Sequence, residues 1–237
     1  MRLQPLPSPD WLDTPLPKSP ICLLTDDGSI STQLADSLIR EGWKVIVLSF
    51  PESMIAVRSL LPTAATRIVL KDLSEAHLQQ QLDAIAVEHG AISQFIHLHP
   101  IHLHPQVLLD RSDGLISSST DRAIVKLVFL IAKHLKPLLN EAASAGRNRF
   151  LTVVRLDGKF GLSHQGNFGA ISAGLFGLTK TLNFEWTSVF CRTIDLAPSF
   201  DAEQAARLVL AEAHDPNLSI VEVAYSPEGR AMLTCSS

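Results

Sequence analysis

Two periods of apolar residues run through the chain. Ile21-Cys22-Leu23-Leu24 is wholly apolar, as a strand buried on both faces requires. Thr25-Asp26-Asp27-Gly28 reads as the turn after it. Ser29 or Ser31 can then cap a helix whose apolar stripe is Leu34, Leu38 and Ile39, and Gly42 can stop it. Lys44 to Ser49 is a second buried strand. Strand, helix and strand within this span make a βαβ unit, with a right-handed crossover.

The alternation continues. Pro51 opens a short helix to about Leu61, and Arg67 to Leu70 is a third strand. Ser74 begins a helix with Leu78, Leu82, Ile85 and Ala86 on one face. Ile92 to Leu98 is a fourth strand, and His99 to Ser118 reads as loop. Ser119 or Thr120 opens a long helix, Ala123 to about Ala145. Phe150 to Val154 is a fifth strand, followed by a helix from about Asn167 to Trp186 and a sixth strand, Phe190 to Asp195. Asp201 caps a helix to about Ala213, Ser219 to Ala224 is a seventh strand, and Ser226 to Gly229 a turn. The expected fold is α/β: a doubly wound, mainly parallel sheet of about seven strands with helices on both faces.

Residues 1–20 hold prolines at 5, 7, 9, 15, 17 and 20. Missing N–H donors forbid a long helix or a central strand there. The segment reads as an extended arm, pinned by Trp11 and Leu12, or as a free linker; residues 21–237 are the domain.

Net charge is −4, and no cluster of Lys and Arg or basic helix face stands out, which argues against nucleic acid as a partner. Cys22, Cys191 and Cys235 lie far apart, without a CxxC pair, as suits a reducing cytoplasm. No signal pattern and no unbroken apolar run of about 18 residues appear, so neither export nor a membrane span is expected.

Gln165-Gly166-Asn167-Phe168-Gly169-Ala170-Ile171-Ser172 resembles the Gln-Gly-Asn-Tyr-Ala-Ala-Ala-Asn signature of ketoreductase regions in modular polyketide synthases. Gly177 to Trp186, Cys191 to Leu196, and Ile220 to Tyr225 with Gly229-Arg230 are similar to further segments of those regions. Lys159 to Trp186 is most like the ketoreductase regions of polyunsaturated-fatty-acid and glycolipid synthases. Such regions have two halves of Rossmann-like, short-chain-dehydrogenase type: a structural subdomain, and a catalytic one that binds NADPH. After residue 20 the chain resembles the structural half. The resemblance implies packing against a catalytic ketoreductase subdomain, in cis or in trans, among other synthase domains. It implies NADPH in that partner and no cofactor in this chain.

That family reduces a ketone with a Tyr hydroxyl as acid, assisted by a Ser and by a Lys or Asn. The Tyr position holds Phe168, the Asn/Lys position Ser172, and the Ser falls near Arg155 and Leu156. None of these can serve, so no catalytic residue is expected. The cofactor loop is similarly degraded: Thr25, Asp26, Asp27 and Gly28 keep one glycine and set two carboxylates where a pyrophosphate would lie. Those aspartates read as turn formers, with metal-assisted ligation the alternative.

His97, His99, His102 and His104 form a His-rich run at the carboxyl edge of the fourth strand. His97 and His99 share a strand face, as metal ligands would, but Pro100 and Pro105 interrupt the run and edge histidines are the favoured reading. Asp157 and Lys159 read as a solvated loop, and Asp195 as a residue that fixes the loop containing Pro198. Phe168, Leu175, Phe176 and Leu182 are candidate contacts of the long helix with a partner, some of them facing their own sheet instead. Two other functions stay open: an NADPH-dependent reductase with a relocated acid, for which Tyr225 is the sole tyrosine, and a small-molecule or metal-binding module in the vestigial crevice.

Overall fold

The computed structural model describes residues 1–11, 18, 20–101, 119–143, 146, 148–163 and 171–234. Leu12, His102, His104, the run 165–170 with Phe168, and Cys235 lie outside the described residues. In chain order the elements are β1 (Arg2–Pro5), β2 (Ile21–Thr25), α1 (Ser31–Arg40), β3 (Lys44–Ser49), β4 (Thr66–Val69), α2 (Glu75–His89) and β5 (Ile92–Leu98). Then come α3 (Ser119–Ala143), β6 (Arg149–Val154), α4 (Gly174–Glu185), β7 (Phe190–Leu196), α5 (Ala202–His214), β8 (Glu222–Ser226) and β9 (Gly229–Thr234).

The strands form one sheet in the order β1-β9-β8-β7-β6-β5-β2-β3-β4. The seven from β8 to β4 run parallel, while β8–β9 and β9–β1 are antiparallel. The Rossmann-like α/β arrangement is as expected. The two added strands come from the hairpin turn at Ser226–Gly229 and from the arm. Pro5 ends β1 at the sheet edge, where a missing N–H is tolerated.

Apolar strand residues pack on both faces. Phe95, Phe150, Ile131, Leu135 and Trp186 belong to the layer under α2, α3 and α4. Leu24, Leu34, Leu38, Val153 and Val209 belong to the layer under α1 and α5. Full burial of such a side chain is worth about 1.5–3 kcal/mol. This two-sided burial explains strands that read as unbroken apolar runs.

Two local expectations fail. No helix follows Pro51: residues 51–65 are turns and irregular chain. Phe50 and Ile55 are drawn into the core, and the Ser59 N–H donates to Asp26 Oδ1 at 3.3 Å. The Thr32 hydroxyl also donates to the Leu60 carbonyl at 2.7 Å. Neither Ser29 nor Ser31 caps α1; that task falls to Asp27, described below. By contrast, Asp201 caps α5 reciprocally with Gln204.

A basic helix face also exists, contrary to the sequence-based expectation. At 100° per residue Arg122, Lys126, Lys133 and Lys136 fall within about 40° of one line along α3, and all are exposed. The cations are spread at three-, four- and seven-residue intervals through an otherwise core-facing helix, so no contiguous run of charge marks them.

The arm is tied to the sheet. Leu6 N–H donates to the Arg230 carbonyl at 2.8 Å, Arg230 Nη1 to the Pro7 carbonyl at 3.1 Å, and Trp11 stacks on His214 with centroids 3.6 Å apart. Beneath it lies a buried charge cluster. Arg192 Nη1 meets Glu212 Oε2 at 2.6 Å, and Arg230 meets Glu212 Oε1 at 2.7 Å and Asp215 Oδ2 at 2.5 Å.

Candidate functional site

From β2 the chain winds outward one way to β3 and β4; from β5 it winds the other way to β6, β7 and β8. The reversal opens a crevice at the carboxyl ends of β2 and β5, where ligands bind in sheets of this kind. Thr25, Asp26, Asp27, His97 and His99 all lie at this edge.

Asp27 closes the first turn of α1. Its Oδ1 accepts from the Ser29 and Ser31 amides at 3.1 and 3.0 Å, and its Oδ2 from the Ile30 amide at 3.1 Å. The carboxylate lies at the positive end of the helix, where negative charge is favoured. Gly28 adopts φ 81°, a left-handed conformation suited to glycine.

Asp26 is fully buried. It accepts from the Gly28 amide at 3.0 Å, the Ser31 and Ser49 hydroxyls at 2.9 and 3.1 Å, and Arg67 Nη1 at 2.5 Å. Burial alone would push its carboxyl up. The Gly28 amide, Ser59, Ser31 and Arg67 outweigh that and hold it below the usual carboxylate range. Both aspartates are thus formers of the turn, and Arg67, from β4, is a partner that no local pattern revealed.

Behind them runs a second polar chain. Thr25 Oγ1 lies 3.0 Å from His97 Nδ1, His97 Nε2 3.4 Å from His99 Nδ1, and His99 Nε2 3.3 Å from Asp121 Oδ1 in the first turn of α3. Burial, then the neighbouring His99, keeps the His97 imidazole well below its usual value, so that ring is neutral. The Thr25 hydroxyl also donates to the Leu98 carbonyl at 3.0 Å and accepts from the Leu98 amide at 2.8 Å. The arrangement ties β2, β5 and α3 together. Among the described residues no three His, Cys, Asp or Glu side chains converge as metal ligands.

A third cluster follows β6. Arg155 donates to the carbonyls of Pro198 and Phe200, and Leu156 is buried. Asp195, on β7, accepts from the Leu156 amide at 2.9 Å and the Phe160 amide at 2.8 Å. It therefore fixes the 156–160 loop; Arg155 is the residue that binds the segment of Pro198. Burial, opposed by the two amides and reinforced by Asp157, pushes Asp195 up to about 7. Asp157 accepts from the Lys159, Gly161 and Ser163 amides and the Ser163 hydroxyl, while Lys159 pairs with Glu228 at 2.9 Å. The loop is thus built around its carboxylates rather than merely solvated. Gly158 is indispensable here: a Cβ would lie 2.0 Å from the Tyr225 carbonyl oxygen.

Ser172 is buried just before α4. Of the candidate partner contacts on α4, Leu175 and Leu182 face their own sheet, and Phe176 is half-buried with its ring 5.5 Å from that of Phe160. The outward aromatic on α4 is Phe184, 89% exposed. Tyr225 donates to Glu212 Oε1 at 2.5 Å inside the charge cluster, and burial with that carboxylate raises its pKa.

No protein-family model matches the chain. The chain is 30% identical over 227 residues to one subunit of the polyunsaturated fatty acid synthase of Thraustochytrium sp., a match covering 91% of this chain and 7% of that protein. Among solved structures, a variant of a Serratia marcescens short-chain dehydrogenase/reductase matches with TM-score 0.60 at 15% identity, over 86% of this chain and 93% of that one. The fold is short-chain-dehydrogenase-like. Thermoplasma acidophilum aldohexose dehydrogenase matches with TM-score 0.56 at 16% identity, over 76% and 66%. An apo SCOR enzyme of Clostridium thermocellum matches with TM-score 0.63 at 11% identity, over 86% and 89%. No described helix is long and apolar enough to cross a membrane.

Proposed function

We propose that this chain is a non-catalytic pseudo-reductase subdomain. In this reading it packs against and stabilises an NADPH-dependent β-ketoacyl reductase subdomain, in cis or in trans, within a cytoplasmic polyketide or fatty-acid synthase. Similarity to a segment of a polyunsaturated fatty acid synthase supports the setting. The observation that carries the loss of cofactor is Asp27. A dinucleotide in this fold places its pyrophosphate on the first amides of α1. The amides of Ser29, Ile30 and Ser31 already donate to Asp27, and Asp26 adds a second carboxylate beside them. This donor set does not fit a dianionic pyrophosphate.

The acid is wanting as well. Phe168 has no proton to give, and the hydroxyl of Tyr225 is committed to Glu212 in the buried cluster. Packing is the remaining contribution, and the outward face of α4 with Phe184 offers apolar surface for it. The test is equilibrium titration of the full chain with NADPH, followed by assay with a β-ketoacyl thioester. The expected result is no saturable binding and no turnover, together with a raised Tm for an added catalytic ketoreductase subdomain of the same synthase. Micromolar NADPH binding with reduction of the thioester refutes the proposal.

A further inference from the structure

The outward face of α3 is chemically unlike the rest of this acidic chain. Arg122, Lys126, Phe129, Lys133 and Lys136 recur every three or four residues, so they lie within about 40° of one line that runs about 21 Å along the helix. All are exposed, Phe129 by 54%. No Asp or Glu of α3 falls on this line: at 100° per residue Asp121 and Glu141 project to its sides. Lys133 is offset by Glu75 of α2 at 2.7 Å, whereas Lys126 and Lys136 have no acidic partner among the described residues.

Like charges one turn apart destabilise a helix by a few tenths of a kcal/mol each, and a face that is only solvated ordinarily interleaves both signs. Here 24 acidic residues are available in the chain and none is used on this line. An exposed phenyl ring at its centre adds an apolar anchor between the cations.

We infer that this face docks an acidic amphipathic α-helix of a partner protein, laid along α3 with an apolar groove over Phe129 and carboxylates against Lys126 and Lys136. Charge complementarity selects the sign, and the narrow line of side chains along one helix face selects a helix. A nucleic acid would leave Phe129 without a receptor, and the net charge of −4 opposes it. A membrane surface needs a broad apolar helix face, but the apolar face of α3 is spent on the core, through Ile124, Leu127, Ile131 and Leu135. Docking here does not depend on whether the crevice binds a cofactor.

The test is fluorescence anisotropy of the full chain against four probes. These are a labelled helical peptide with Glu at every third or fourth position around a central Leu, its scrambled isomer, a short DNA duplex, and phosphatidylserine vesicles. The helical peptide is expected to bind, and to weaken as salt is raised. Lys126→Glu with Lys136→Glu should lower its affinity about tenfold or more, and a peptide with Lys in place of Glu should recover binding to that variant. Phe129→Ser should weaken binding without changing the salt dependence. Both variants are checked by circular dichroism, and Lys126→Gln with Lys136→Gln serves if charge reversal disturbs folding. No binding, equal binding of the scrambled isomer, preference for DNA or vesicles, or indifference to the lysine substitutions overturns the inference.

Discussion

The substitution Asp195→Asn isolates the charge that the 156–160 loop is built around. Asp195 is fully buried, and its two oxygens accept from the Leu156 and Phe160 amides at 2.9 and 2.8 Å. Burial, opposed by those amides and reinforced by Asp157, moves its pKa from 3.8 up to about 7. Between these values the folded protein holds a proton that the unfolded chain has released. Stability from this group is therefore full below about pH 4, is lost as pH rises through about 7, and is flat above. At about 1.4 kcal/mol per tenfold change in proton affinity, the loss across that window approaches about 4 kcal/mol. The substituted side chain would not titrate. Its amide nitrogen would leave the Leu156 or the Phe160 N–H without an acceptor, at a cost of about 1–3 kcal/mol.

Urea unfolding of wild type and Asp195→Asn at half-unit steps from about pH 4.5 to 8 measures the difference directly. Wild type should be the more stable at the acid end and lose that advantage near neutrality. Asp26 shifts the opposite way, so its stabilisation is lost as pH falls, but it is common to both proteins and cancels. A difference that stays flat refutes the reasoning. One that grows with pH would show that the two amides outweigh burial and keep Asp195 ionised.

Two further substitutions probe the charges that hold the edges of the fold. Asp27→Ala removes the acceptor of three amides and should destabilise by about 1–2 kcal/mol, a fall in Tm of about 2–8 °C measured by thermal melts. Glu212→Gln leaves Arg192 and Arg230 facing Asp215 alone, one uncompensated positive charge in a buried cluster, and should cost about 3–5 kcal/mol in urea unfolding; a change below about 1 kcal/mol would mean that water reaches the cluster.

Much of the architecture was legible from local pattern. Strands such as Lys44–Ser49 and Arg149–Val154 are apolar on both faces because helices cover both, and that burial writes itself into consecutive residues. The apolar stripe of α2 and the Asp201 cap of α5 are read over a few residues, as is the turn at Thr25–Gly28. The aspartates of that loop could be recognised as turn formers because Asx bonding spans two to four residues.

What local pattern could not supply is every partner brought in by the sheet order. Arg67 reaches Asp26 from 41 residues away, and Thr25 meets His97 across 72. Arg230 joins Pro7 across 223, and the pairing of Arg2–Pro5 with β9 makes an edge strand of the start of the arm. Residues 51–65 lost a helix because Asp26 and the core offered better partners than their own backbone. Neither Asp157 nor Asp195 could announce from its neighbours that the two would influence each other's protons. Period and composition are properties of adjacent residues and survive reading in one dimension. Burial of a charge and the identity of its counterpart exist only once β2, β5 and β7 are assembled into one sheet.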